Sequence, residues 1–449
     1  MRKNKMKKIN KSGGKSDETV EPSNKDEKLN KDLDPNLRQV NGPINVVRLE
    51  GTIGGTKKVI YLFFDIHADL YLQTKCTNIY SKDVNMFFAE NFYELNKADK
   101  KYDFFMEIRP SDVKFIGQDW YRKAKNIYID EMTKLFSAIF QYDEAKNKVN
   151  ISDKLKNIRL HYLDVRDYFQ HHITGISNEA LNIAYQNMYH NHPYPGRLDK
   201  IIEILKAQKE MLDTTINIFM DPSIISSKEK KSLFIRDLSY HYTINIEPEI
   251  IANLSNKIKN RYNYTDVQKK INIIFDDLII QLKQLSNDTG NSIDKIIEYI
   301  NILATPFRQL TMYKNEKNNV EYNYDIPGKK RRMIMLEILN ICEDLHYQLV
   351  YLFARLTDIY FLRRFLDKDY ITNAIVFSGA YHSEDYIEYL VKYFDFKITH
   401  VAYALDKNID ELNKMTKDRL TNNETITDIF YPPELYQCSD ITHFPKNFA

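Results

Sequence analysis

Short apolar runs separated by amphipathic stretches set the pattern of this chain. Residues 58–64 (KVIYLFF) are β-branched and aromatic, which predicts a buried strand. A helical stretch follows at 84–95, a second apolar run at 102–108 (YDFFMEI), an amphipathic stretch at 120–141 and a third run at 158–165 (IRLHYLDV). Strands alternating with helices in this way predict an α/β sheet with crossover connections. From residue 177 to 370 apolar positions recur at spacings of three and four. That predicts helices over 198–219, 265–285, 292–313 and 331–367. Their breaks fall at 191–196, Pro222, Pro248, 287–291, and Pro327 with Gly328. Strand texture returns at 374–378 (AIVFS) and 398–405 (ITHVAYAL), with a helix predicted over 386–394 between them.

The expected fold class is therefore α/β: an open, mostly parallel sheet with crossover helices and a large all-helical insertion. The first part of the core spans 45–176, the helical insertion or cap 177–370, and the second part of the core 371–410. Residues 411–449, with Pro432, Pro433 and Pro445, read as an irregular extension. Residues 1–44 have almost no large apolar side chains and read as a disordered tail. Arg2, Lys3, Lys5, Lys7, Lys8, Lys11 and Lys15 stand at its start without one acid. The simplest reading is a solvated tail; the alternatives are a nuclear address or a contact with nucleic acid or an anionic surface. No apolar region follows the basic start, so a signal peptide is not expected.

Composition narrows the class further. With 43% hydrophobic residues the chain has the material for a packed core, which excludes wholesale disorder. A net charge of +2 gives no global drive toward nucleic acid or membrane. There is no apolar run of the length a spanning helix needs. Three cysteines (Cys76, Cys342 and Cys438), odd in number and far apart, make neither a disulfide framework nor a four-ligand zinc site. That predicts a soluble protein of a reducing, intracellular compartment. Heavy use of Lys, Asn, Ile and Tyr follows AT-rich codons and looks like that of large DNA viruses or AT-rich protists. A viral protein would then sit in the host cytoplasm or the virion.

Candidate chemistry lies where the apolar runs end. Phe64 is followed by Asp65, His67 and Asp69, Met106 by Glu107 and Arg109, Leu163 by Asp164, Arg166 and Asp167, and Ser378 by Gly379, His382 and Glu384. In open α/β sheets ligands sit beyond the carboxyl ends of the strands, so parallel strands would bring all four clusters to one edge. Asp65, His67 and Asp69 offer a divalent-metal ligand set for Zn, Mn or Fe, or a general base oriented by a carboxylate. In the plainer reading Asp65 caps a turn. Glu107, beside buried Phe104, Phe105 and Met106, is a candidate acid/base or third metal ligand, or else an ion-pair partner of Arg109. Arg166 held by Asp164 or Asp167 suits an anion or oxyanion, and a plain salt bridge fits equally. Gly379 permits close backbone approach, and His382, at the presumed start of a helix, is a candidate base or metal ligand.

Other histidines carry less. His171, His172, His190 and His192 fall in loop-like segments, and His346 falls inside a helix. Arg363 and Arg364 read as solvated charge. No phosphate-binding glycine loop, zinc-protease motif or nucleophile elbow is present.

The order of these clusters resembles the erythromycin-esterase, TraB and haem-binding ChaN group. The matching positions are His67, Glu107, Arg166, Gly379 and His382. The resemblance, over about 57–405, implies an α/β core with a His- and Glu-centred cleft. Asp65 and Ile66 stand where that group has glutamate before the histidine. The Asp65–Asp69 stretch is also similar to the metal loop of arginase-like ureohydrolases, though their upstream and downstream motifs are missing or poorly echoed. Two functions follow as expectations. One is a hydrolase acting on a small molecule or peptide, with His67, Glu107, Arg166 and His382 at its centre and Asp65 and Asp69 as orienting or metal groups. The other is a non-catalytic structural or interaction protein that keeps the fold. A converging pocket would favour the first, and clusters buried as closed salt bridges the second.

Overall fold

The computed structural model describes residues 33–66, 73–108, 127–143, 148–165, 170–189, 195–224, 232–234, 243–245, 248–304, 312–314, 320–322 and 325–448. His67, Asp69, Arg109, Arg166, Asp167, His190 and His192 lie outside them, as do residues 1–32 of the basic tail.

A short strand β1 (Gln39–Asn41) precedes the hairpin β2 (Asn45–Ile53) and β3 (Thr56–Asp65), which turns at Gly54 and Gly55. Both glycines have positive φ, +54° and +81°, as a two-residue hairpin turn demands. After β4 (Lys82–Asp83) and helix α1 (Val84–Glu94) come β5 (Tyr102–Met106), α2 (Ile127–Ile139) and β6 (Ile158–Tyr162). Helices α3 (Gln170–Tyr189), α4 (Pro195–Met220), α5 (Pro248–Lys259), α6 (Thr265–Ala304) and α7 (Asp325–Asp367) follow. The chain then returns through β7 (Asn373–Gly379), α8 (Ala380–Phe394), β8 (Lys397–Val401) and α9 (Ile409–Thr421), and ends near β9 (Cys438–Asp440).

The fold is mixed α/β. Its main sheet runs in the order β8-β2-β3-β7-β5-β6. The β3–β7, β7–β5 and β5–β6 pairings are parallel, and β8–β2 and β2–β3 are antiparallel. Strand β7 enters between β3 and β5, so the centre of the sheet is made by a segment far down the chain.

Period-two alternation splits each strand between two cores. Ile60, Leu62 and Phe64 of β3, Phe105 of β5, and Ala374 and Val376 of β7 join one core with the apolar faces of α3 to α8. Val59, Tyr61 and Phe63, with Phe104, Met106, Ile375 and Phe377, join the other, packed by Phe88 and Phe92 of α1, Phe136 of α2, and Phe444 and Phe448. Strands covered on both faces read as continuous apolar runs, and for that reason they were legible.

Several expectations change. Helix α6 runs unbroken through 287–291. Thr289 is buried and returns its hydroxyl to the Leu285 carbonyl, while Gln284 donates to Asp288. A mid-helix glycine costs only about 1 kcal/mol, which the packing of α6 on α4 and α7 overrides. Pro248 opens α5 and Pro327 sits in the first turn of α7, where a missing N–H is tolerated. The stretch 177–370 is not all helical: Ser232–Phe234 pairs with Thr243–Asn245, and Met312–Lys314 with Val320–Tyr322. Residues 39–41, assigned to the tail, form β1, and 411–449, assigned as irregular, hold most of α9 and all of β9. Strands β1 and β9 pair with one another from opposite ends of the chain, a contact that local periodicity does not register. His171 and His172 lie in helix α3, not in a loop.

Cys76 and Cys438 are joined by a disulfide across 362 residues, with Cα atoms 5.0 Å apart. This runs against the expectation of a reducing compartment, which rested on the odd number and wide spacing of the cysteines. Cys342 is free and buried, and burial pushes its thiol up to about 12.

Candidate functional site

Three adjoining parallel pairs align the strand ends. Gly379 of β7 stands opposite Asp65 of β3. Phe377 stands opposite Met106, and the Glu107 N–H donates to the Phe377 carbonyl at 3.1 Å. Tyr162 of β6 stands opposite Met106, and the Leu163 N–H donates to the Met106 carbonyl at 2.8 Å. Asp65, Gly379, Glu107 and Asp164 therefore share one carboxyl edge, and all three carboxylates are buried there.

Helix α8 begins directly after β7 with Gly379 as its N-cap residue. With no loop between strand and helix, His382 lands in the first turn behind that edge. Its Nε2 lies 3.0 Å from Glu107 Oε1, and its Nδ1 lies 2.6 Å from Asp358 Oδ1. The second oxygen of Glu107 accepts the Gly379 N–H at 2.6 Å. His382 is 7% exposed, Glu107 8% and Asp358 0%, so this chain of charge is closed to water. Burial alone disfavours the charged ring, but Asp358 and Glu107 overcome it and hold the imidazole well above its usual range.

The network continues into the helical layer. Asp385, one turn beyond His382, is raised well above the usual carboxylate range, first by burial and then by Asp358. Arg355 lies 3.9 Å from Asp385, donates to Tyr389 Oη at 2.6 Å and reaches Gln281 Oε1 at 3.1 Å. Glu107, His382, Asp358, Asp385 and Arg355 thus run from the sheet edge through α7 and α8 toward α6.

Sequence reasoning brought Asp65, Glu107, Gly379 and His382 to this place. It missed Asp358, whose signal was an acid within the apolar face of α7, three, four and seven residues before Phe361, Leu362 and Phe365. It also missed Asp103, buried in the middle of β5. Asp103 accepts Arg159 Nε at 2.8 Å, is gripped by the same guanidinium through its other oxygen, and lies 2.7 Å from His161 Nε2. His346 sits between helices with Nδ1 2.7 Å from Ser177 Oγ.

The metal expectation fares differently. Among the described residues no three His, Cys, Asp or Glu side chains converge as a metal site. Both nitrogens of His382 already face carboxylates, and an imidazolium in that position has no lone pair for a metal. Of the expected ligand set, His67 and Asp69 lie outside the described residues. Among the described residues, no helix is long and apolar enough to cross a membrane.

Fold and site together define a mixed α/β protein with a buried carboxylate–imidazole chain at the carboxyl edge of its sheet. The chain belongs to DUF5847, a family of unknown function, whose pattern covers residues 38–449. It is 39% identical over 427 residues to the uncharacterized protein R706 of Acanthamoeba polyphaga mimivirus, covering 94% of this chain and 99% of that one. The uncharacterized proteins R161 and R160 of the same virus are each 36% identical, over 93% and 94% of this chain and 99% of theirs. No solved structure matches the chain. The viral relatives agree with the compositional hint. The resemblance to the erythromycin-esterase, TraB and ChaN group finds no support in these comparisons.

Proposed function

We infer that this is a non-catalytic structural or interaction protein of a viral family, in which the strand-end cluster locks the core. One observation carries the reading. Both nitrogens of His382 are taken by carboxylates, and the second oxygen of Glu107 is taken by a backbone N–H, with almost no solvent access. A base or ligand waiting for substrate keeps one group open, whereas a lock closes them all. Helices α3 to α7 then offer the partner-facing surface.

The test needs no substrate. Groups held for catalysis are strained, and their removal leaves stability unchanged or raises it. Removing one member of a buried ion pair that serves the fold lowers stability by about 3–5 kcal/mol. Urea unfolding of His382→Ala and Glu107→Gln decides between them, and unchanged or raised stability sinks the structural reading.

A hydrolase-like function is the second reading, supported by the arrival of Asp65, Glu107, Asp164 and Gly379 at the edge where α/β enzymes bind ligands. Glu107 would be its acid/base. Elemental analysis of wild type against His67→Ala tests its metal-dependent form. Near-stoichiometric Mn, Fe or Zn that the variant loses would carry it.

A further inference from the structure

A second site lies at the outer edge of the sheet, away from His382. The edge strand β6, the end of α7 and the short Lys148–Val149 strand enclose a cavity of about 370 Å³. That volume is within the range of small-molecule pockets. Arg159, His161, Asp164, Tyr360, Arg364 and Tyr370 are among its lining residues.

Their pairing is uneven. Asp103 neutralises Arg159 from behind and also takes His161 Nε2, leaving the other ring nitrogen of His161 without a partner among the described residues. Asp164 has partners of its own. Arg364 has none: among the described residues its guanidinium makes no hydrogen bond and no ion pair, although it is half-buried and lines the cavity. Its neighbour Arg363, by contrast, donates to the carbonyls of Asn260 and Arg261 and is not part of the lining. A half-buried guanidinium without an acid is a waiting anion partner, and its planar fork suits carboxylate or phosphate oxygens. Tyrosine walls add flat apolar faces, and the Arg159 guanidinium lies over the Tyr370 ring at 4.8 Å from its centroid.

We propose that this cavity binds a small organic anion bearing a planar ring, with its charged group on Arg364 and its ring against the tyrosine wall. The site shares Asp164 with the strand-end edge but none of His382, Glu107 and Asp358, and it does not rest on the function inferred for that cluster. Carboxylate and phosphate share the chemistry that Arg364 recognises.

Isothermal titration calorimetry on the full chain with phenyl phosphate, benzoate, inorganic phosphate and phenol tests the proposal. Phenyl phosphate or benzoate is expected to bind more tightly than either inorganic phosphate or phenol, and the tighter of the two identifies the anionic group. Arg364→Met should weaken binding by about tenfold or more, while Arg363→Met, with the same loss of charge, leaves it unchanged. If Arg364→Met does not fold, Tyr370→Ala on the exposed wall replaces it and should weaken binding several-fold. The proposal is overturned if no aromatic anion binds at millimolar concentration, if inorganic phosphate binds as well as phenyl phosphate, if the two arginine variants weaken binding alike, or if neither Arg364→Met nor Tyr370→Ala weakens it.

Discussion

His382 and Asp358 meet through Nδ1 and Oδ1 at 2.6 Å, one from the first turn of α8 and the other from the last third of α7. The contact fastens the helix that follows the central strand to the long helix that precedes it. It also fixes the charge of the ring, since Glu107 approaches the opposite nitrogen. Burying three ionisable groups is expensive unless each is paired. Here each has a charged partner, and among the described residues Asp358 Oδ2 is the one carboxylate oxygen of the three groups without a hydrogen bond.

That pairing gives the protein a pH signature. His382 keeps its proton in the folded state well above 6.5, while the unfolded chain releases it near that value. Above pH 6.5 the folded state therefore binds more protons than the unfolded one, and stability falls as pH rises, by about 1.4 kcal/mol per unit from this group alone. The raised Asp385 acts in the same sense. His161, His346 and His400 have lowered values and act in the opposite sense, but below 6.5. Lys58, lowered to about 8, opposes the trend only above that value. Between pH 6.5 and 8 urea unfolding should show declining stability, and His382→Gln should flatten the slope. An equal slope in the variant would remove His382 as its source.

Lys58 predicts a stability effect that its position in the sequence conceals. It opens the apolar run of β3, is fully buried, and donates to the carbonyls of Phe365, Lys368 and Ile371 at 2.9, 2.9 and 2.8 Å. The three carbonyls lie at and beyond the end of α7, where the helix dipole also favours a cation, and the Lys368 carbonyl in addition accepts the Ile371 N–H at 3.0 Å. Lys58→Met keeps the stem but takes the donor from the Phe365 and Ile371 carbonyls, while the Lys368 carbonyl keeps the Ile371 N–H, so it should lower unfolding free energy by about 2–4 kcal/mol. A loss under about 0.5 kcal/mol, the level of a neutral surface change, would mean that water replaces the ammonium.

How much of this was legible follows from the range of each interaction. Strands β3, β5 and β7 announce themselves because both faces are covered, and polar residues can enter such strands mainly at their ends, which is where Asp65, Glu107 and Gly379 stand. Asp103 breaks that rule: it sits inside β5, and only Arg159 and His161 on the neighbouring strand explain it. Asp358 is hidden likewise, because its partner lies 24 residues away across a strand and a turn. The β2–β3 hairpin has a local signal in Gly54 and Gly55, which stand between two largely apolar segments, but it is not among the predicted elements. The placement of β7 between β3 and β5, and the pairing of β1 with β9, leave no local trace.

The disulfide between Cys76 and Cys438 carries a third expectation. It joins the region after β3 to β9, beside Asn41, whose side-chain oxygen accepts the Cys76 N–H at 2.8 Å. A cross-link closing so long a loop restricts the unfolded chain strongly, and its loss typically costs about 2–5 kcal/mol. Cys76→Ser should lower the melting temperature and abolish the mobility difference between reduced and non-reduced protein on a denaturing gel. Labelling of free thiols in unfolded, unreduced protein should find Cys342 alone. Three reactive thiols would show that the chain is reduced as it is made.

The last expectation concerns the approach of β2 to the helical layer. A Cβ added at Gly51 would fall inside van der Waals contact with the ring of Phe396, which is itself buried between α8 and β8. The ring is held in the core with Phe365, 6.0 Å away between centroids, so it has little room to retreat. Gly51→Ala should therefore destabilise by about 1–3 kcal/mol through overpacking, despite the higher strand propensity of alanine. Combining it with Phe396→Leu removes the obstructing ring edge. The double variant should lose less than the sum of the two single losses, because the clash that penalises Gly51→Ala is absent once the ring is gone. Additive losses in urea unfolding would place the cost of Gly51→Ala in the strand backbone and not in its contact with Phe396.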